Sequence, residues 1–350
     1  MIANRAVVYL GSGRSRLERA DLPEPGRGEL ILRLTVSGLC GTDLFKLAND
    51  TAAVGAVLGH EIVGIVEQAG AGSVLEFGTR VVVPHHVACG HCTFCRRGAD
   101  TMCTAFRENL LFPGGFSDRV LVRERAVQAA AHALPDRLSD DAAVFLEPAA
   151  CVLRGIRRSG ILESPAPHRA AVLGGGSMGL LHVAVLRAVS PGIRLVLSDG
   201  LAQRRAAAEA LGVERVVPAG SGELSTAAHE ISDGVGVDAV FDCVGGARAL
   251  EEGLAASRAG GSLVLFAHAR AGEAAGFDLN ALFKHERRVL GTYSGGLSEQ
   301  NEVFELLSSG RLDPTSLITH RMPLSRFDEA VELCRSHAAL KVLFVPEVDG

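Results

Sequence analysis

Four of the eight cysteines lie within fifteen residues of each other, and this density indicates a metal site: Cys89, Cys92, Cys95 and Cys103. Because two of the gaps contain only two residues, the backbone can turn so that neighbouring thiolates face one ion. Four thiolates complete a tetrahedron, which suits a structural zinc ion. The alternative is a ferredoxin-type iron–sulfur cluster, whose last gap has three residues and ends in Cys-Pro, whereas here it has seven and Thr104 follows. With four cysteines filling the shell, His91 is expected to face solvent.

A second set of metal-binding side chains is spread over three short segments of the first half. The segments place Cys40, Thr42 and Asp43 after the apolar run LILRLTVSGL, His60 and Glu61 at a loop that enters a strand, and Glu147 at the end of DAAVFLEP. One thiolate, one imidazole and one or two carboxylates match a catalytic zinc ion, which takes about three protein ligands and leaves a position for water or substrate. In such a site Asp43 would orient the imidazole of His60, and the hydroxyl of Thr42 would pass on a proton.

The other cysteines and two neighbouring histidines have no comparable spacing. Cys151, Cys243 and Cys334 lie in apolar helix or strand patterns and are interpreted as small buried side chains. His85 and His86 follow the strand-like run VVVP directly before the cysteine cluster. Their position is compatible with a place in a cleft or on the surface.

A glycine-rich segment near the middle of the chain predicts a nucleotide site. The short strand AAVL runs into GGGSMG and then into LLHVAVLRAV, which has helical spacing. The pattern G-x-G-x-x-G is informative here because it follows a strand and opens a helix. Its glycines allow a tight turn and close approach of the backbone to a pyrophosphate, and the helix N-terminus supplies amide donors. The predicted cofactor-binding residues of this segment are Gly174, Gly176, Ser177, Met178 and Gly179.

An acidic residue at the end of the next strand predicts which dinucleotide binds. The strand IRLVLSD ends at Asp199, where a carboxylate can accept hydrogen bonds from the adenosine ribose hydroxyls. A 2′-phosphate would face a like charge there, at a cost of up to about 4 kcal/mol at roughly 4 Å separation and an effective dielectric near 20. NAD is therefore predicted over NADP. Arg204 and Arg205 keep NADP open, because an arginine can accommodate that phosphate, whereas on the helix QRRAAAEALG they would face adenine or water.

Alternating strands and helices continue after this segment. The runs VVP, VDAVFDCVGG and SLVLFAHA are predicted strands, and ALEEGLAASRAGG is a predicted helix between the last two. This rhythm predicts a parallel sheet with helices on both faces, with the cofactor across the carboxyl ends of its strands. Val244 in FDCVGG and Ala267 in LFAHA, near the ends of two of these runs, are expected near the nicotinamide end of the cofactor.

Length and composition limit the class of protein further. A chain of 350 residues predicts about two domains at roughly 150 residues each. The 40 acidic residues outnumber the 35 basic ones and no basic run appears, so no nucleic-acid partner is expected. No apolar run reaches the roughly 18 residues that span a bilayer, and the first residues lack the features of a secretory signal. A cytoplasmic protein without a membrane partner is expected.

Together and in this order, the motifs resemble those of the zinc-dependent medium-chain dehydrogenase/reductase family. The shared segments are CGTD, GHEIVGIVEQAGAGS, the lobe CGHCTFC with its fourth cysteine, the EP pair at 147–148, and GGGSMG. The resemblance implies an α/β fold with a GroES-like, β-rich catalytic domain and an inserted Rossmann domain on a doubly wound parallel sheet. The catalytic domain would comprise 1–150 and 291–350, with a structural zinc lobe at 89–103, and the Rossmann domain 151–290.

Within that family the chain is most similar to the polyol group, which includes sorbitol dehydrogenase, and it shares much with threonine and aminocyclitol dehydrogenases. The resemblance implies hydride transfer from a secondary alcohol of a polyol, cyclitol or sugar-like substrate to NAD, two zinc ions per chain, and a homodimer or homotetramer. It also implies that Cys40 and His60 hold the catalytic zinc ion together with Glu61 or Glu147, which alternate or share.

One departure from the group concerns the substrate. Polyol and threonine dehydrogenases often carry a histidine where this chain has Phe45, and the loss of that polar group favours a larger or partly apolar ring substrate. A zinc-free quinone reductase and a non-catalytic nucleotide-binding protein are the two alternatives to a zinc dehydrogenase. The two predicted ligand sets count against both.

Overall fold

The computed structural model describes residues 1–220, 222–269, 272–276 and 278–347. In these ranges the strands, in chain order, are β1 (Arg5–Gly11), β2 (Arg14–Arg19), β3 (Leu30–Gly38), β4 (Glu61–Ala69), β5 (Arg80–Val82), β6 (Leu111–Phe112), β7 (Arg119–Val122), β8 (His132–Ala133), β9 (Arg169–Leu173), β10 (Arg194–Asp199), β11 (Arg215–Pro218), β12 (Val237–Asp242), β13 (Ser257–Leu265), β14 (Arg288–Gly291), β15 (Ile318–Met322) and β16 (Lys341–Phe344). The α-helices are α1 (Gly41–Ala48), α2 (Thr93–Arg96), α3 (Glu124–Ala130), α4 (Asp140–Ala143), α5 (Leu146–Ser159), α6 (Ser177–Val189), α7 (Ala202–Ala210), α8 (Glu223–Glu230), α9 (Ala247–Ala256), α10 (Leu279–Phe283), α11 (Leu297–Ser308) and α12 (Phe327–Arg335).

Two compact units make up the chain, and the second is inserted into the first. One unit comprises Met1–Pro148 together with Gly296–Gly350, and the other comprises Ala149–Gly295. Helix α5 begins in the first unit and ends in the second. The first division lies two residues before the predicted one at 150, and the second lies five residues after the predicted one at 290.

The unit that contains both ends of the chain is built mainly on antiparallel strands. Its larger sheet has the order β15-β16-β3-β4-β5-β8, and β7 pairs with both β3 and β6. Strand β3 is buried along most of its length because it pairs with β16, β4 and β7. Its side chains Leu30, Leu32 and Leu34 belong to the apolar core of this unit, whose burial stabilises the strand. Strand β3 therefore fixes the position of the backbone from which the following residues continue.

The inserted unit is a parallel sheet in the order β11-β10-β9-β12-β13-β14, and each neighbouring pair of strands is parallel. The chain starts at β9 in the middle, runs outward to β11 and then returns to β12 on the other side of β9. This is the doubly wound order of a Rossmann fold, in which ligands bind outside the carboxyl ends of the strands where the direction reverses. The α/β fold class, with a β-rich unit and an inserted doubly wound sheet, is confirmed. Among the described residues, no helix is long and apolar enough to cross a membrane.

One predicted helix is wrong in its second half. Helix α9 ends at Ala256, and the segment SRAGG, which the sequence assigned to that helix, begins strand β13. The hydroxyl of Ser257 donates to the carbonyl of Leu254 at 2.9 Å and satisfies one of the last helical carbonyls. Gly260 then has a φ of 71°, and the glycine pair at 260–261 is a poor helix former. Local backbone preference outweighs the apolar periodicity here.

Candidate metal centres and nucleotide site

The first candidate metal centre begins shortly after strand β3. Cys40 is the N-cap residue of helix α1, and Thr42 and Asp43 lie in its first turn. The carboxylate of Asp43 accepts the backbone N–H groups of Cys40 at 3.1 Å and of Gly59 at 3.3 Å. Because Gly59 directly precedes His60, one buried carboxylate fixes the two segments that carry the predicted ligands.

Three of the predicted ligands lie together and form what we call the buried metal group: Cys40, His60 and Glu61. One donor atom from each lies within 4.8 Å of the other two. His60 is 7% exposed and Glu61 1%. Glu147, the fourth predicted ligand, is not a member of this group and is a partly buried residue in the first turn of α5. Of the two carboxylates, the structure brings Glu61 to the thiol and the imidazole.

The charges of the buried metal group favour a cation. Nδ1 of His60 lies 3.5 Å from Oδ1 of Asp43. Burial lowers the pKa of His60, but the negative charges of Asp43 and Cys40 outweigh burial and raise this pKa well above its usual value. Burial raises the pKa of Asp43, whereas His60 and two backbone donors lower it, and the net pKa lies below its usual value. The negative charges that hold a proton on His60 would hold a metal cation in its place.

Lys341, which the sequence analysis did not single out, faces the buried metal group. It is the first residue of β16, and its Nζ contacts Oε2 of Glu61. Nζ also donates to the carbonyl of Leu39 at 3.3 Å. Since Lys341 and Glu61 lie 280 positions apart, no local spacing links them. The available signal was a lysine at the start of an apolar strand, KVLFVP, in a chain whose basic residues are nearly all arginine.

The donor atoms of the buried metal group fit a zinc ion. Oε1 of Glu61 is buried and has no hydrogen-bond partner within the part of the chain that the structure describes. A buried carboxylate oxygen without a partner costs free energy unless a cation or a donor satisfies it. A thiolate, an imidazole and a carboxylate oxygen form a ligand set that catalytic zinc ions take, with one position left open.

Two further histidines lie beside this group, with their rings tilted relative to one another. The ring centroids of His60 and His85 are 4.6 Å apart, and those of His85 and His86 are 3.6 Å apart. Burial, followed by the charge of His60, lowers the pKa of His85 well below its usual value, and burial lowers the pKa of His86 to about 4. Both rings are therefore neutral at pH 7. Of the two placements that the sequence left open, the structure favours the one beside the site.

The four clustered cysteines also converge, in a segment that we call the cysteine lobe (residues 89–103). The four Sγ atoms lie within 4.8 Å of one another. The Sγ–Sγ distances are 3.5 Å for Cys92–Cys95, 3.5 Å for Cys89–Cys103 and 3.9 Å for Cys89–Cys95. Four thiolates at 2.3 Å from a tetrahedral zinc ion would lie about 3.8 Å from one another. Each cysteine of a four-iron cluster binds a different iron atom, which would hold the sulfurs further apart. The spacing therefore fits one zinc ion.

The thiols of the cysteine lobe differ in acidity. The backbone N–H of Cys89 approaches Sγ of Cys103 at 3.5 Å, and this contact is the main reason that the pKa of Cys103 is lowered to about 6. Burial raises the pKa of Cys95 to about 12. His91 is exposed, as expected, and its Nδ1 lies 2.8 Å from the carbonyl oxygen of Cys89. No other side chain is needed to fill the shell of four sulfurs.

In the inserted unit, the predicted nucleotide loop connects β9 to α6. Gly174 has a φ of 91° and makes the tight turn. Gly176 is the N-cap residue of α6, and Ser177 and Met178 are its first two residues. A Cβ atom on Gly179 would overlap the carbonyl oxygen of Gly174, so only glycine allows this close packing of helix on strand. The loop has the turn, the open helix N-terminus and the close approach that a pyrophosphate site needs.

Asp199 ends strand β10 with its carboxylate turned toward the glycine loop. Oδ2 accepts the N–H of Gly175 at 2.7 Å, and Oδ1 accepts that of Leu201 at 2.7 Å. Nη1 of Arg204 lies 3.8 Å from Oδ2 of Asp199. Nη1 of Arg205 instead donates to the carbonyl of Asp199 at 3.0 Å. Arg204 is thus the arginine beside the carboxylate, and Arg205 caps the backbone.

Val244 and Ala267 follow the carboxyl ends of β12 and β13, which are neighbours in the parallel sheet. The N–H of Val244 donates to the carboxylate of Asp242 at 2.9 Å, and the N–H of Ala267 donates to its carbonyl at 3.0 Å. Both residues therefore lie at the edge of the sheet that carries the glycine loop.

The three remaining cysteines, which were interpreted as buried, are only partly buried: Cys151, Cys243 and Cys334.

Comparisons with known proteins agree with these two units. The family described as the alcohol dehydrogenase GroES-like domain matches residues 26–135, and the zinc-binding dehydrogenase family matches residues 178–309. The chain is similar to an L-threonine 3-dehydrogenase of Pyrococcus abyssi, with 30% identity over 95% of this chain and 95% of the relative. It is similar to a sorbitol dehydrogenase of Halalkalibacterium halodurans, with 26% identity over 96% of this chain and 97% of the relative.

The chain is also similar to a solved structure. It is the structure of a protein of Sinorhizobium meliloti 1021 that is described as a zinc-binding dehydrogenase and is bound to NADP. The identity is 28% and the TM-score 0.87, over 99% of this chain and 100% of that chain. The β-rich unit is thus GroES-like and the inserted unit is of the Rossmann type. By its sequence and its fold, the chain belongs to the zinc-dependent medium-chain dehydrogenases, a family of oxidoreductases of the alcohol dehydrogenase type.

Proposed function

We propose that this protein oxidises a secondary alcohol of a polyol, cyclitol or sugar-like molecule to a ketone, with zinc in the buried metal group and NAD as the hydride acceptor. The observation that carries the proposal is the convergence of Cys40, His60 and Glu61 within 4.8 Å. A second, structural zinc ion is proposed for the cysteine lobe. A zinc-free quinone reductase would need neither group, and a protein that only binds a nucleotide would not need the buried one.

The residues of the catalytic unit have separate tasks. Zinc in the buried metal group would act as a Lewis acid on the substrate hydroxyl, while the nicotinamide would accept the hydride. Cys40, His60 and Glu61 hold the ion, and Asp43 orients the ring of His60 through Nδ1. Thr42, half-buried in the first turn of α1, would take the proton of the hydroxyl and pass it on. Glu147 is retained as a proposed ligand that would share the ion with Glu61 or alternate with it.

NAD is proposed as the cofactor because of the charge at the end of β10. A 2′-phosphate would meet the carboxylate of Asp199, which has the guanidinium of Arg204 3.8 Å away. The cofactor-binding set is Gly174, Gly176, Ser177, Met178, Gly179, Asp199, Arg204, Val244 and Ala267. We expect kcat/KM to be at least about tenfold higher with NAD than with NADP, since one like-charge contact costs more than the 1.4 kcal/mol that a factor of ten requires. Equal or better use of NADP would reverse this assignment.

A substrate panel tests the proposed reaction. Zinc-loaded protein would be mixed with NAD and linear polyols, inositols, aminocyclitols or threonine, and NADH followed by its absorbance. Phe45 on α1 places an apolar ring where a polar one would suit a small polyol, so the cyclic alcohols are expected to have the highest kcat/KM. No NADH with any alcohol from protein that holds both zinc ions would contradict the proposal.

Threonine is the second candidate substrate, and a specific observation supports it. The similarity to an L-threonine 3-dehydrogenase reaches 30% identity across nearly the whole chain. Oxidation of threonine at a kcat/KM above that of every polyol and inositol in the panel would establish this alternative.

A homodimer or homotetramer is also proposed, on the resemblance to the family, and light scattering after gel filtration would measure it.

A further inference from the structure

The buried metal group has more negative charge around it than a divalent ion can balance. The thiolate of Cys40 and the carboxylates of Glu61 and Asp43 supply three negative charges, and His60 is neutral when it binds a metal. The carboxylates are each 1% exposed, so water screens them poorly. Lys341 supplies one positive charge, and that charge acts on all three anions. With a divalent ion bound, the site is neutral only if Lys341 is counted.

The ammonium group of Lys341 is held in place from several sides. Nζ contacts Oε2 of Glu61 and donates to the carbonyl of Leu39 at 3.3 Å. The ring of Phe145 lies 5.6 Å from Nζ and offers it a cation–π contact. The backbone leaves room for this pair at Gly38, where a Cβ atom would overlap Oε2 of Glu61 and come within 3.1 Å of Cε of Lys341.

A lysine is also an unusual choice in this chain. The sequence contains three lysines and 32 arginines. An ammonium group is a compact point charge on a flexible stem, whereas a guanidinium is a wide, planar fork. The narrow space beside Gly38, where even a Cβ atom would overlap Oε2 of Glu61, suits the compact group. This favours a role for the charge itself rather than for a bidentate pair.

We propose that Lys341 is a positioning residue that neutralises the buried metal group and holds Glu61 by one carboxylate oxygen, so that only the other oxygen is offered to the metal. The inference rests on the proposed zinc site. Oε1 of Glu61, which lacks a partner among the described residues, is then the metal-binding oxygen. Because the ammonium draws negative charge away from it, Glu61 is a weak ligand that an incoming substrate hydroxyl can displace. Without Lys341, Glu61 would bind the metal more tightly and compete with the substrate.

Two variants remove the charge and one retains it. Lys341→Met keeps an apolar stem of similar length, Lys341→Gln keeps a hydrogen-bond donor for Glu61, and Lys341→Arg keeps the charge. Each zinc-loaded protein is mixed with an excess of a chromogenic chelator, and the release of zinc is followed in time. Cys40→Ala, which retains only the zinc of the cysteine lobe, gives the baseline. We expect release from the buried metal group to be at least about tenfold slower in both the Met and Gln variants, the scale of the effect of partners that surround metal ligands.

The same variants give a kinetic readout that a purely structural role would not produce. The KM for the alcohol should rise in Lys341→Met and Lys341→Gln while the dissociation constant of NADH stays unchanged. Lys341→Arg keeps the charge on a wider group, so its KM should lie closer to that of the wild type than the KM of either charge-removing variant. In a Glu61→Gln background, Lys341→Met should no longer slow the release of zinc, because the competing carboxylate is absent.

The outcomes separate this inference from the proposed function. Unchanged or faster zinc release in the charge-removing variants would overturn the role of Lys341, as would slower release that persists with Glu61→Gln or a Gln variant that behaves like the wild type. If Lys341→Met does not fold, the Gln variant carries the same test. A wild-type protein that holds zinc only in the cysteine lobe would instead refute the proposed function, and this is measured first.

Discussion

The cysteine lobe and the buried metal group both gather metal ligands, but they are built in different ways. The lobe takes its four ligands from one short segment, and three of its cysteines are only partly buried. The buried group takes Cys40 from a helix N-cap and His60 and Glu61 from the entry to β4. Lys341, which contacts this group, lies 280 positions after Glu61 in the chain. The lobe depends on local turns, whereas the buried group depends on the packing of a whole sheet.

The two groups also differ in the number of metal ligands that they offer. Four thiolates at mutual distances near 3.8 Å close the shell of a zinc ion and leave no position for a substrate. The buried group offers three donors: Asp43 lies behind the ring of His60 and accepts the backbone N–H of Cys40, and Lys341 contacts Glu61. A closed shell stabilises a fold, and an open one with tuned ligands suits chemistry. Changes in the lobe should therefore affect stability, and changes in the buried group should affect turnover.

The largest effect is expected for Cys40→Ala and His60→Ala. A catalytic metal ion lowers a barrier by several kcal/mol, and each 1.36 kcal/mol is a factor of ten, so kcat/KM should fall at least about a thousandfold. NADH fluorescence should show cofactor binding unchanged, because the nucleotide residues belong to the inserted unit. Cys334→Ala, which lies outside both metal groups, is the matched control and should retain its turnover. Turnover within tenfold of the wild type in either ligand variant would contradict the assignment.

Cys92→Ser should have the opposite profile. Loss of the lobe zinc removes metal-binding free energy that contributes to folding, and a loss of about 3 kcal/mol would lower Tm by roughly 6–12 °C for a unit of this size. The kcat of the protein that remains folded should change by less than about threefold. Calorimetry and turnover at 20 °C measure the two quantities on one sample. A Tm equal to that of the wild type, or a collapse of kcat without a change in Tm, would remove the distinction between the two groups.

A smaller effect is expected for Asp43→Asn, which keeps the shape of the side chain and removes its charge. Partners that orient a metal-binding histidine typically contribute 10- to 100-fold to metal affinity, so zinc should bind the buried metal group about 10–100-fold more weakly. The lobe zinc should be retained. Competition with a chelator of known affinity gives both values, and equal weakening at the two groups would show a general loss of structure instead.

The smallest effect is expected for His91→Ala. This ring is exposed and contacts only the carbonyl oxygen of Cys89 among the interactions of the described residues, at 2.8 Å. Its removal should change Tm by less than about 2 °C, the usual range for a surface substitution of within 0.5 kcal/mol. Loss of the lobe zinc in this variant would make His91 a ligand and reopen the identity of the four donors.

The fold was predictable wherever a pattern is local. The apolar strands and the glycine loop after β9 gave the doubly wound sheet, because strand, turn and helix N-terminus follow one another directly in the chain. The end of α9 was missed because its apolar periodicity continues into SRAGG, whereas the glycine pair and the hydroxyl of Ser257 end the helix. Short-range backbone preferences of this kind shift a boundary without changing the order of the elements.

The site was predictable to the extent that its residues carry recognisable motifs. The structure brings Cys40, His60 and Glu61 together, and each belongs to a short segment with an unusual residue type. The choice between Glu61 and Glu147 could not be made from spacing, because the two carboxylates lie in segments that are far apart in the chain. Lys341 could not be found at all, because only the pairing of β16 with β3 brings it to Glu61. The placement of His85 against His60 is likewise a product of packing.

The most direct test of the central claim is the zinc content per chain, measured by mass spectrometry on the wild type, Cys40→Ala and Cys92→Ser purified side by side. The assignment of a zinc ion to each group predicts two zinc ions in the wild type and one in each variant, with NAD-dependent oxidation of alcohol in the wild type and Cys92→Ser and none in Cys40→Ala. One zinc ion in the wild type that survives in Cys40→Ala, together with unchanged turnover, would contradict it.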